Sequence, residues 1–185
     1  MAEYYLISQL PSLDGISEAS PMPIDEERFF ELCSRHLGKR AQNEIKKLTL
    51  APQLNSERPS SGLLEQWYEA EQNLRLALGK ARAGNMNKSF ELQNTSFSSE
   101  LVKVAGEAVE IENPMEAEKF LFNYRLNLLE TLRPMDTFSG DFIFYYGLKL
   151  KLIMRMRQFD EKAGESAYRN IYNSILNGDR MEAVK

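Results

Sequence analysis

Apolar residues between Ser61 and Gly84, in SGLLEQWYEAEQNLRLALGKARAG, recur with the helical period: Leu64, Trp67, Leu74, Leu78 and Ala81 fall at i, i+3, i+10, i+14 and i+17. They line one seam of a helix about six turns long. The one polar residue on the seam is Glu71. A carboxylate buried alone is costly, so Glu71 either reaches water at the seam's edge or meets an Arg from a neighbouring helix. The expectation is the half-exposed edge position.

The same period organises most of the chain. Asp25 opens a helix to Leu37 that carries Phe29, Leu32, Cys33 and Leu37 on one face, with Gly38 as its stop. Ala41 to Leu50 turns Ile45 and Leu48 inward and Lys46 and Lys47 outward before Ala51-Pro52 ends it. Ser98 or Ser99 caps a helix to about Ile111, and Pro114 suits the first turn of the next, Met115 to Leu132, closed by Pro134. Ser139 and Asp141 start the longest apolar helix, through about Lys162, which Gly164 breaks. A last amphipathic helix, Glu165 to Leu176, sets Tyr168, Ile171, Tyr172 and Ile175 on one side.

Tyr4 to Leu10 reads as a short strand or extended arm, followed by a turn-rich loop from Pro11 to Pro23. No run of three or more alternating strands exists to build a sheet. The expected fold class is therefore all-α: helical bundle lobes with a short extended N-terminal arm. Asn85 to Asn94 is polar and lacks a sustained period, which predicts an N-terminal lobe over 1–84, a linker over 85–97 and a C-terminal lobe over 98–185, or one domain in which both pack together. Phe120 to Leu128 and Phe142 to Leu150 share five residues at identical spacing. This marks either an internal repeat or two core helices drawing on the same apolar types.

Composition narrows the function. The 185 residues are 43% hydrophobic and 27% charged with a net charge of -4, a balance that disfavours a nucleic-acid coat or a disordered tail. The lone Cys33 excludes an internal disulfide and suits a reducing, cytoplasmic compartment. The start, MAEYYLISQLPSL, has no basic region of a secretory signal. The longest greasy stretch, Phe142 to Leu148, falls far short of the roughly 20 residues a bilayer requires.

Candidate chemistry is sparse. His36 follows Arg35 near a helix end, where a ring caps carbonyls or faces water, and Cys33 falls on an apolar face, where a core thiol is the commoner case. No phosphate loop occurs, and Gly79 and Gly84 lack the preceding strand a nucleotide cradle needs. Glu107, Glu110, Glu112, Glu116 and Glu118 lack the calcium-loop pattern and read as a solvated acidic face. Lys149, Lys151, Arg155 and Arg157 interleave with Tyr145, Tyr146, Ile153, Met154 and Met156. They read as the basic outer face of a core helix, with partner docking as the alternative; nucleic acid is disfavoured because the periodicity buries the rings. No enzyme activity, cofactor or metal is expected.

These residues resemble a family. The run WYEAEQNLRLALGKARAG, with Asn73 ahead of Gly84, is similar to a helix of the C-type subunits of V/A-type ATPases, known as the d subunit in eukaryotes, and FSGDFIFYYGLKLKLIMRMRQFDEKAG with Tyr168 to Tyr172 is similar to that family's helical hairpins. The N-terminal EYYLISQLPSLDG more closely resembles an uncharacterised bacterial family encoded among V/A-type ATPase genes. The C-type subunits often have Arg-Ala-Lys where this chain has Gly79-Lys80-Ala81-Arg82, and the chain is shorter than their three-lobed form.

The resemblance implies a non-catalytic socket coupling the rotor shaft to the membrane proteolipid ring during proton or sodium translocation. It implies central-stalk subunits and the ring as partners, and a cytoplasmic place peripheral to the inner membrane, with membrane contact only through partners. Lys149, Lys151, Arg155 and Arg157 are then candidate partner contacts, and Glu71, Asn73 and Arg75 candidate structural polar residues. Alternatives are a helical adaptor that takes a peptide or partner helix in a groove, and an enzyme working with carboxylates alone.

Overall fold

The computed structural model describes residues 2–16, 20–51, 58–90, 97–158, 166–173 and 175. Every regular element among them is helical, as the periodicity predicts: α1 (Ala2–Gln9), α2 (Glu26–His36), α3 (Lys39–Lys46), α4 (Gly62–Asn85), α5 (Ser99–Glu110), α6 (Pro114–Thr131) and α7 (Gly140–Arg157), with a further helical stretch over 166–173. Five helices open on a side-chain cap, α4 among them, where Ser61 accepts from the Leu64 amide. Asp25 accepts from the Arg28 amide, Ser98 from Leu101, Asn113 from Met115 with Pro114 following, and Ser139 from Phe142.

The structure departs from expectation in three places, and a fourth expectation falls outside the described residues. Tyr4 to Leu10 is not a strand or extended arm but the body of α1. Leu6 is fully buried in the core with Ile7 and Leu10 beside it, a helical spacing, and Tyr4 and Tyr5 stay exposed. Gly38 does not simply stop α2; it is the N-cap of α3, which ends at Lys46 rather than Leu50. Gly84 stays helical in α4, and the turn falls to Asn87, whose φ of 53° lets the Lys88 amide donate to the Ala83 carbonyl. The described part of α7 ends at Arg157, and the expected end at Lys162 and break at Gly164 lie outside the described residues.

Two apolar clusters form the interior. The first joins Leu6, Phe29, Leu32, Ile45 and Leu48 to Leu63, Leu64 and Trp67 of α4, Leu129 of α6 and most of α7. The second joins Leu74, Ala77 and Leu78 of α4 to Leu101, Ala105 and Ala108 of α5 and Leu121 of α6. Both clusters draw on residues from either side of 85–97. Helix α4, roughly 36 Å long at 1.5 Å per residue, runs through both. At its start the buried Ser61 hydroxyl donates to Asp141 of α7 at 2.6 Å.

Helix α7 is the axis of the first cluster, with residues 143–150 buried on every side. Gly147 makes this possible: a Cβ there would lie 2.7 Å from Leu48 Cδ2 and 3.2 Å from the Phe29 ring. Phe29 itself stacks on Tyr146 at 5.5 Å. Gly106 in α5, by contrast, has open space around it. Gly147→Ala should therefore lower the urea midpoint, because overpacking costs about 1–3 kcal/mol and outweighs the helix-propensity gain. Gly106→Ala should raise the midpoint, since it adds about 0.5–1 kcal/mol of stability, so equal shifts in both variants would refute the packing account.

Candidate functional site

Lys149 lies in the buried face of α7, 6% exposed. A helix buried all round must satisfy any charge it carries from within the fold. The Lys149 ammonium donates to Asp14 Oδ1 at 2.5 Å, to Glu130 Oε1 at 2.6 Å and to the Tyr145 hydroxyl at 3.3 Å. Tyr145 in turn donates to Glu130 Oε1 at 2.7 Å. Asp14 comes from the loop after α1, where Gly15 takes a φ of 70° that favours glycine. Buried Leu13 anchors that loop, and the Tyr146 hydroxyl donates to the Pro11 carbonyl at 2.8 Å.

The electrostatics follow from the geometry. Burial alone would lower the Lys149 pKa, but the bonds to Asp14, Glu130 and Tyr145 outweigh it and hold the ammonium above its ordinary range. The Lys149 hydrogen bond holds Asp14 below the usual carboxylate range. Burial pushes Glu130 upward, yet Lys149 and Tyr145 bring it below its ordinary value. Acid–base catalysis by two carboxylates needs their pKa values driven apart. Here one ammonium pulls both down, and the bonds it makes clamp the 13–16 loop and α6 to α7.

Two cavities flank this clamp. One, of about 440 Å³, opens between the 13–16 loop, α6 and the C-terminal half of α7. The other, of about 210 Å³, lies under Ile7, Leu10 and Phe142. Asp14 and Lys149 line both, so their ion pair partitions the space.

The rest of the basic run is also engaged by its own chain. Lys151 donates to Glu26 at 2.8 Å and lies over the Phe30 ring. Arg155 reaches Glu118 at 3.4 Å, and Arg157 donates to the Ser20 carbonyl. The four cations thus fasten residues 14, 20 and 26 and helix α6 to α7.

Glu71 departs from the half-exposed expectation: it is 1% exposed. Arg125 of α6 grips it with a fork, Nε to Oε2 at 2.9 Å and Nη2 to Oε1 at 3.0 Å, and Arg75 adds Nε to Oε1 at 2.9 Å. A helix seam hides any residue on it, and these guanidiniums satisfy the carboxylate there. Asn73 is half-buried on the same helix. Cys33 is buried, which pushes its thiol up to about 12 and keeps it unionised. His36 meets Gln9 at 3.3 Å. Glu107, Glu110, Glu112 and Glu116 are exposed. Among the described residues no group of three or more His, Cys, Asp or Glu is placed to hold a metal ion, and no helix is long and apolar enough to cross a membrane.

Sequence reasoning missed Asp14, Glu130, Tyr145 and Arg125. A signal existed for the centre itself, since Lys149 stands between Leu148 and Leu150 in the most apolar helix. Nothing local points to its partners.

Glu71→Leu leaves Arg125 buried without its carboxylate and should cost about 3–5 kcal/mol in urea unfolding. Glu71→Leu with Arg125→Leu should recover part of that loss, and a double variant at least as unstable as the sum would contradict the pairing. Asp14 and Glu130 have folded pKa values below their ordinary 3.8 and 4.5, so their contribution is present above that range and is lost as pH falls through the lowered values. Lys149, raised above 10.5, contributes fully below that pH and loses its contribution only as pH rises past its elevated value. The wild-type urea midpoint should decline below about pH 4.5, and Asp14→Asn should flatten part of that decline. The effect is modest because the Asp14 side chain is 62% exposed and screened.

Residues 88–179, from the end of the α4 turn through α5, α6, α7 and the 166–173 stretch, match the sequence model of a family described as a protein of unknown function, DUF2764. No curated protein and no solved structure matches the chain.

Proposed function

We propose that this protein is a non-catalytic subunit of a V/A-type ATPase, a central-stalk socket that couples the rotor shaft to the membrane proteolipid ring. The observation that carries the reading lies in α4. The run that resembles the C-type socket subunits forms a helix through both apolar cores, and within that run a buried carboxylate is gripped by Arg75 and by Arg125 of α6. A part that transmits torque must resist shear between its helices. Charge-assisted forks add directional resistance that apolar packing alone lacks. The clamp at Lys149 supports the same reading, since an ammonium held between two carboxylates fastens a loop to the core. On this reading the protein sits at the cytoplasmic face of the inner membrane through its partners.

A second reading, a helical adaptor for a peptide or partner helix, is favoured by the 166–173 stretch, where Tyr168 and Tyr172 stack at 6.1 Å while both remain exposed.

The test is a native pull-down of the full chain from its own cells at moderate salt. Central-stalk or proteolipid-ring subunits should co-purify, and the purified chain should hydrolyse no ATP. Recovery of the chain without any stalk or ring subunit would overturn the socket, and capture of a different partner that is lost on Tyr168→Ser/Tyr172→Ser would establish the adaptor.

A further inference from the structure

We infer that the 440 Å³ cavity beside Lys149 is a binding site for a small amphipathic monocarboxylate, and that Asp14 occupies its carboxylate position when the ligand is absent. Such a site goes beyond the coupling role and stands independently of it.

Three observations carry it. The cavity is built like a ligand site. Its volume falls within the roughly 300–1,000 Å³ of small-molecule pockets, and apolar Leu126, Ile153 and Met156 line it, with the buried Lys149 ammonium as its fixed cation and the Asn123 and Asn127 amides alongside. Secondly, the two carboxylates on Lys149 are not equivalent. Glu130 is carried on α6 and also takes the Tyr145 hydroxyl, whereas Asp14 is on a loop and its side chain is 62% exposed. Releasing Asp14 to water therefore costs little desolvation, and the loop stays attached through buried Leu13 and the Tyr146 bond to Pro11. Thirdly, a ligand carboxylate cannot simply join the other two. The three ammonium protons are already taken by Asp14, Glu130 and Tyr145, and Arg157, which also lines the cavity, donates to the Ser20 carbonyl, so a carboxylate that binds Lys149 must exchange with Asp14, the more exposed of its partners.

The size of the cavity decides the ligand class. An acidic side chain offered by a protein partner would fill only a fraction of it. A free carboxylate on an apolar body of about ten non-hydrogen atoms occupies more of it, sets its head on Lys149 and lays its tail along Leu126, Ile153 and Met156. Asp14 then acts as an internal competitor, lowering apparent affinity by the fraction of molecules in which it holds the site.

The test uses octanoate and its uncharged isostere octanamide, titrated at neutral pH into the full-length, isotope-labelled protein and followed by amide chemical shifts. Octanoate should perturb Gly15, Leu126, Ile153 and Met156 saturably, and octanamide should bind at least about tenfold more weakly. Asp14→Asn, which removes the competitor from an exposed position, should tighten octanoate about tenfold. Lys149→Gln should abolish the preference for the carboxylate, and should that variant not fold, the Asp14→Asn comparison decides alone. Equal binding of octanoate and octanamide, unchanged or weaker octanoate affinity in Asp14→Asn, or shifts confined to other surfaces would overturn the site.

Discussion

The structure depends on the carboxylate of Glu71. On α4 it separates the apolar residues of the first cluster, ending at Trp67, from those of the second, beginning at Leu74. On α6 Arg125 holds the corresponding place between Leu121 and Leu129. The ion pair is thus the polar layer where two apolar cores meet. Such a layer is not a strong source of net stability, because desolvating both groups offsets most of their attraction. Its effect is on register. A bidentate fork tolerates little sliding or rotation of one helix against the other, whereas leucines on facing helices accept several packings. Helix α4 is therefore located against α6 by chemistry as well as by shape, and a division of the chain at 85–97 does not divide its interior.

The same rule governs α7. Its middle is enclosed on all sides, so each cation it carries must find a partner within the fold or at its rim. The partners are distant in sequence: Asp14 lies 135 positions from Lys149, Glu26 lies 125 from Lys151, and Ser20 lies 137 from Arg157. Described residues between α1 and α2, at Asp14 and Ser20, and Glu26 at the start of α2 are thereby held along the helix by contacts with its cations. Leu13 and Ile24 add apolar anchors between them. The loop after α1 is thus tied to α7, while α1 itself packs on α2.

This division explains what can be read from the chain alone. Helix α4, the caps at Asp25, Ser98 and Ser139, and Pro114 at the start of α6 are local signals, and local signals survive into the fold. Helix α1 is ambiguous in sequence because a short apolar run such as Tyr4 to Ile7, with β-forming aromatics, fits a strand as well as a helix. Only the absence of any partner strand among the described residues, and the single buried anchor of Leu6, settle it. Glu71 is recognisable as anomalous, but its choice between water and Arg125 rests on a contact 54 residues away. The basic run is legible as charge and illegible as function, since a pattern of cations looks the same whether it faces a partner or its own carboxylates. Asp14 reads in sequence as a turn former before glycine, which it also is.

The two ionic centres differ in a way that bears on what each can do. Glu71 is sealed, with both oxygens bonded and the donor Arg125 itself only 12% exposed, so exchange with a ligand would require opening the junction of the cores. Lys149 is buried too, but both of its carboxylates reach solvent, Asp14 at 62% more than Glu130 at 37%, and the space beside it is open. Sealed pairs fix geometry; half-open pairs permit substitution. The second property is the one through which the proposed anion could alter how the loop after α1 lies on α7. The clamp sits where that segment, α6 and α7 converge, so exchanging Asp14 for a free carboxylate would loosen the loop at one of its fastenings while leaving the α4–α6 junction untouched.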